Sequence, residues 1–162
     1  MTMHAFLKLD GIKGEATEEG HEAEIMLDAF TWGGTMPSSP VGHGAGAGRV
    51  ELRNVTIDKK TDASSALLFK ALCTGQHFAK ATLSCLKPTG TKPFDYLKYD
   101  FTELFITDLQ WAGASNGVDD TPRETLGLAF GEVTVTYTTQ KPNGDKGEAT
   151  LATYNRKTGK SK

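Results

Sequence analysis

The sequence predicts an all-β protein, a β-barrel of two packed antiparallel sheets with one flanking α-helix. Three observations carry that expectation. Apolar residues alternate with period two along most of the 162-residue chain, the signature of strands with one buried face. The phase of the alternation slips by one residue between Leu52 and Val55, and again between Phe130 and Val133 across Gly131. A slip of one residue turns a strand inside out unless a bulge absorbs it, and bulges bend a sheet as a closing barrel requires. Only residues 63–74 follow helical spacing instead.

The elements follow in order. Ala5, Leu7 and Leu9 share one face of a first strand, and Ile25, Leu27 and Ala29 share one face of a second. Val50 and Leu52, then Val55 and Ile57, mark a third with the phase slip inside it. In 63–74, Leu68 pairs with Leu72 and Phe69 with Cys73 at i,i+4 spacing; Asp62 or Thr61 suits the N-cap and Gly75 the C-cap, giving about three helical turns lying across the barrel. Strands resume with Ala79, Ala81, Leu83 and Cys85, then Leu97, Tyr99 and Phe101. The last long run has Leu126, Leu128 and Phe130, then Val133, Val135 and Tyr137. Thr121-Pro122-Arg123-Glu124 fits a helical capping box, but the alternation after it reads as strand. Residues 33–48 hold Pro37, Ser38, Ser39 and Pro40 and then four alternate glycines. A loop longer than ~12–15 residues is uncommon unless it is functional or mobile. Residues 156–162 are polar and basic and read as a frayed tail. With no internal repeat and no boundary signal, residues 1–162 read as a single domain.

Composition narrows the function. A formal charge of −2 provides no field for steering onto nucleic acid or an anionic membrane. No apolar run approaches the ~20 residues of a membrane helix. Lys8, Asp10 and Lys13 interrupt residues 1–14, where a signal peptide would be apolar, so a soluble protein made in the cytoplasm is expected. Cys73 and Cys85 cannot form a disulfide framework, and both sit within apolar patterns as buried free thiols. His4, His21, His43 and His77 show no ligand spacing and read as structural or exposed, with no metal.

Motifs for catalysis do not survive their context. Gly113-Ala114-Ser115-Asn116-Gly117 matches the nucleophile elbow, but no helical pattern follows and no His lies after Ser115. Gly42-His43-Gly44-Ala45-Gly46-Ala47 matches a dinucleotide fingerprint, but a Pro/Ser loop precedes it and a strand follows, where that motif needs strand and helix. The carboxylates Glu15, Glu18, Glu19, Glu22 and Glu24 read as a solvated face. No catalytic, cofactor-binding or metal-ligating residue is therefore expected, and no enzyme. The hint that remains is one of assembly. Opposite Ile25, Leu27 and Ala29 stand Met26, Phe30 and Trp32, so both faces are partly apolar. Either a partner surface or a covering element such as the helix explains this.

Four blocks make the chain recognisable. Phe6-Leu7-Lys8-Leu9-Asp10-Gly11-Ile12-Lys13-Gly14-Glu15 resembles the opening of the haemolysin co-regulated protein (Hcp) family, the tube proteins of the type VI secretion system. Phe30-Thr31-Trp32-Gly33-Gly34, the run from Asp62 through Gly75-Gln76-His77, and the stretch from Glu124 to Gly144 are similar to that family's later blocks, in the same order. The chain departs from the pattern in 149–162, where the family often has a Trp and this chain has Tyr154.

The resemblance implies a homohexameric ring with a wide pore, stacked into a tube that a contractile sheath expels. It implies sheath, spike and effector proteins as partners, effectors carried in the lumen, and export without a signal peptide, from the cytoplasm to the outside. Loop 33–48 would contact the next protomer or ring, burying Met36, Pro37 and Val41; Met26, Phe30 and Trp32 complete the expected ring interface. No cofactor, nucleic acid or membrane insertion is implied. Alternatives are an effector chaperone or receptor ring that builds no long tube, a phage-type tail tube protein, and a secreted hydrolase using Ser115.

Overall fold

A computed structural model describes residues 2–37, 48–87 and 92–162. In chain order the elements are β1 (His4–Leu9), β2 (Ile25–Leu27), β3 (Ala29–Thr31), β4 (Gly34–Thr35), β5 (Glu51–Leu52), β6 (Val55–Lys60), α1 (Ser65–Thr74), β7 (His77–Lys87), β8 (Phe94–Ala112), β9 (Arg123–Ala129), β10 (Glu132–Gln140), β11 (Lys146–Asn155) and β12 (Lys160–Ser161). Ten strands form one sheet, and β4 and β5 form a separate two-stranded hairpin. Every pairing is antiparallel.

The strand pairings return on themselves. From β1 they run through β7, β8, β9 and β6 to β3. β3 is joined through the single residue Asp28 to β2, which pairs with β1 again. The two packed layers expected from the sequence are thus walls of one continuous sheet, with β10, β11 and β12 branching from β8. The slips in phase fall where the sheet turns. β8 pairs with β10 through Leu97–Thr102 and with β9 through Phe105–Ala112, changing partners at Glu103. Glu103 takes a left-handed backbone (φ 52°), which is uncommon outside glycine. At the same level β9 gives way to β10 at Gly131, whose N–H donates to Thr102 O at 2.9 Å. A Cβ on Gly131 would sit 3.3 Å from the Glu103 Cβ and 3.5 Å from Thr102 O, so the two strands pass closely at this turn.

Partner exchange also corrects two expected faces. Ile25 and Leu27 are buried, but Ala29 is exposed, because the chain leaves β1 for β6 at Asp28 and inverts as it does so. In β7, Ala81, Leu83 and Cys85 are buried as expected, whereas Ala79 is exposed and Phe78 buried; ladder pairing lapses between Ala79 and Glu103.

The main core gathers Leu7, Ile25, Val55, Ile57, Leu83, Leu104 and Leu128 within the barrel, with Leu68 of α1 among them. β1 is buried on both faces, since Phe6 packs on its other side with Ala16 and Leu86. The helix begins two residues later than the Asp62 cap would require: Ser64 holds the N-cap position, and Asp62 Oδ1 accepts from the Ser64 N–H at 2.9 Å just outside it. Gly75 is left-handed (φ 64°) and closes the helix as expected. Leu68 and Ala71 face inward, while Phe69 and Cys73 face solvent, so the second i,i+4 pair lies on the outer side and Cys73 is not a buried thiol. The 156–162 tail, expected to be frayed, is a closed hairpin: β12 pairs with Tyr154 and Asn155, and Lys162 and Thr153 exchange backbone hydrogen bonds at 2.9 and 3.0 Å.

Candidate assembly surface

The residues expected at an interface divide into three groups. Met26 points outward from β2 and is 56% exposed, beside a recess of about 310 Å³ that also involves Glu15, Asp28, Lys60 and Asp62. Phe30 and Trp32 do not share its face. The inversion at Asp28 turns both toward the core, where Trp32 meets Tyr99 at 5.3 Å and Phe130 at 5.8 Å between ring centroids. Both stay half-buried, and the Trp32 Nε1–H, itself shielded, finds no hydrogen-bond partner among the described residues. Met36 and Pro37 are exposed at the end of the β4–β5 hairpin. That hairpin needs Gly34, because a Cβ there would strike the Leu52 side chain and crowd Glu51 O. Val41 lies outside the described residues, as do 38–47 generally.

A further exposed apolar group was not expected from the sequence. Phe69 on α1 and Trp111 near the end of β8 meet at 5.8 Å between ring centroids, each close to half exposed, with Leu67 also exposed on α1. The signal was present in Leu67, Leu68 and Phe69, which cannot all face inward on one helix. Trp111 gave none, since its strand shows no clean alternation.

Charged chemistry in the interior is structural. Lys59 and Glu124 form a buried ion pair, extended by Ser65 Oγ donating to Glu124 Oε2 at 2.8 Å and Lys59 Nζ donating to Asp62 Oδ1 at 3.0 Å. Nothing in the sequence marked Glu124 for full burial. Of the carboxylates read as a solvated face, Glu24 is half-buried and accepts from the His21 ring at 2.8 Å. Burial, reinforced by the charge of Asp95, raises the Cys85 thiol to about 11, so it stays protonated and inert at neutral pH.

The candidate catalytic motifs gain nothing from the fold. Ser115 lies in the loop between β8 and β9, in a recess lined by residues 112–123 that include no histidine to act as base. The glycine fingerprint at 42–47 lies outside the described residues. Among the described residues, no three His, Cys, Asp or Glu side chains are placed to hold a metal ion, and no helix is long and apolar enough to cross a membrane.

Fold and surface together define a β-barrel protein with a helix on its wall, an apolar interior that also holds the Lys59–Glu124 ion pair, and some apolar residues displayed outside. Comparison with known proteins makes the class specific. The family model described as type VI secretion system effector, Hcp, matches residues 6–137. The chain is 31% identical to protein hcp1 of Pseudomonas aeruginosa over 149 residues, covering 90% of each. Its fold is similar to a solved type six secretion system protein (TM-score 0.91, 29% identity, 99% of this chain and 100% of the other). It is also similar to Hcp1 from Salmonella typhimurium (TM-score 0.82, 32% identity, all of both chains). The chain belongs to the Hcp family of type VI secretion system proteins.

Proposed function

We propose that this chain is a tube subunit of the type VI secretion system, assembling into hexameric rings that stack into the expelled inner tube. The observation that carries the reading is the extent of the likeness: the family model spans 6–137, and the fold agrees from end to end with a solved protein of this secretion system. A ring closes through heterologous contacts, each protomer offering one patch to a different patch on its neighbour. Met26, Met36 and Pro37 are exposed apolar groups suited to such patches, while Phe30 and Trp32 lie half-buried against the core. Loop 33–48 then reaches the next protomer or ring, with Val41 buried on contact. Export accompanies the tube, with sheath and spike proteins as partners and effectors carried in the lumen.

A second reading, an effector-carrying ring that builds no long tube, draws on the description of the matching family as a secretion system effector. Negative-stain imaging over a rising concentration series tests both. Stacked cylinders with six-fold end views support the tube; rings that never stack support the carrier; and particles without a pore overturn both.

A further inference from the structure

The segment from residue 13 to 24 is a strap laid over the outer side of β1. Its own backbone closes it: Gly14 N–H donates to Ala23 O at 2.8 Å, Ala23 N–H to Ala16 O at 2.8 Å, and Ala16 N–H to Glu24 O at 3.0 Å. The closure holds Ala23 in the left-handed region (φ 61°), a conformation that an alanine leaves readily when nothing holds it there. Glu15 of the strap also accepts from the Ala63 N–H at 3.2 Å, just before α1.

One side chain fastens the strap to the barrel. His21 is 5% exposed and stacks on Phe6 of β1, with 4.4 Å between ring centroids and 6° between planes. Its Nδ1 lies 2.8 Å from Glu24 Oε2, and its Nε2 lies 2.7 Å from Asp95 Oδ1 on β8. A carboxylate only accepts, so both ring nitrogens must donate, and only the imidazolium carries a proton on each. Neutral imidazole would set a lone pair against one of the two carboxylates.

We propose that this strap is a proton-gated clip, latched across β1 and β8 while His21 carries both ring protons and released from Asp95 when one is lost. The groups facing His21 agree. From the strap come Glu24 and, near enough to feel the His21 charge, Glu22; from β8 comes Asp95. β1 offers the ring of Phe6, and β7 offers Leu86 beside it. Cys85 of β7 couples to Asp95, but its thiol is neutral up to about 11 and adds no charge. Burial pulls the His21 pKa down, yet hydrogen bonds and charge from Glu24 and Asp95 outweigh it, and the net direction is upward from 6.5. A folded value above the unfolded one makes the contribution fully present below pH 6.5 and lost as pH rises through the folded value. Release leaves the strained Ala23 turn and the Phe6–Ala16–Leu86 cluster without their fastening.

The test reads the ring nitrogens and the strap amides of the full chain together, by long-range proton–nitrogen NMR and hydrogen exchange corrected for intrinsic rates. Both His21 nitrogens are expected protonated below a midpoint that lies above the ordinary 6.5. Across that midpoint, protection of the Gly14, Ala16 and Ala23 amides should fall about tenfold while β7 amides hold, as local opening predicts. Asp95→Asn should lower the midpoint, and His21→Phe, which retains the stack, should leave strap protection low at every pH. A His21 midpoint below 6.5, strap protection indifferent to its titration, or full protection in His21→Phe would each overturn the clip.

Discussion

Lys59 on β6 and Glu124 on β9 stand opposite each other in the ladder and form an ion pair with side chains 1% and 0% exposed. Three further groups hold the Lys59 ammonium: the Lys60 carbonyl at 2.8 Å, Asp62 Oδ1 at 3.0 Å and Ser65 Oγ at 3.3 Å. The pair therefore does more than join two strands. Through Ser65 it fixes the first residue of α1 against the barrel wall, and Asp62 ties in the turn before the helix.

Glu124→Leu should destabilise the fold by ~3–5 kcal/mol, because it strips the buried Lys59 charge of its fully buried partner and leaves only Asp62 at 3.0 Å to balance it. Lys59→Met together with Glu124→Leu should recover much of that loss. Urea unfolding of the three proteins checks this; a double variant as unstable as the single one would show that the pair's own attraction, and not the stranded charge, sets the cost.

The helix offers a contrast between neighbours. Leu68 is fully buried, so Leu68→Ala should cost ~2–5 kcal/mol through lost burial and the cavity left behind. Leu67, 45% exposed, should tolerate serine with a change of ~0.5 kcal/mol in the unassembled chain. Equal losses by chemical denaturation would contradict the orientation of α1.

The thiols separate in the same way. Cys73 is exposed and should react with a thiol reagent in the native protein, while Cys85 should react only on unfolding. One equivalent of reagent consumed natively, and two in denaturant, is the expected count.

Gly14→Ala should cost ~1–3 kcal/mol and loosen the strap, as overpacking against backbone does. A Cβ there would overlap Glu24 O and the Ile25 Cα, neither of which can rotate away. Thermal unfolding unchanged by the substitution would mean that the strap does not lie where Gly14 puts it.

Much of this fold is visible in the chain itself, and what is hidden shares a cause. Local rules located most strands up to β10 but not β4, β11 or β12, and they located the α1 stop at Gly75 and the turning points near residues 53 and 131, since periodicity, a left-handed glycine and a phase slip are properties of adjacent residues. Hidden were features made by distant partners. Ala29 faces outward because β3 pairs with β6 rather than β1. Glu124 is buried because Lys59, 65 residues away, meets it. The 156–162 tail is ordered because Arg156 donates to Leu52 O and Phe130 O, both at 3.3 Å, a contact that a basic composition does not announce. Of the residues proposed for assembly, Met26, Met36 and Pro37 are exposed, whereas Phe30 and Trp32 joined the aromatic core once Asp28 reversed the strand.

Replacing Met36, Pro37 and Val41 together with serine should weaken stacking while leaving the fold intact, since two of the three are exposed and the third lies in the same connection. Sedimentation of tubes at matched concentration reads the effect; undiminished tubes would remove that loop from the interface.

The most direct test is the mass of the purified protein in solution, measured by light scattering on a size-exclusion column. Assembly into rings predicts a species close to six times the 17.4 kDa chain, persisting on dilution. A species at 17.4 kDa across the whole concentration range would contradict it.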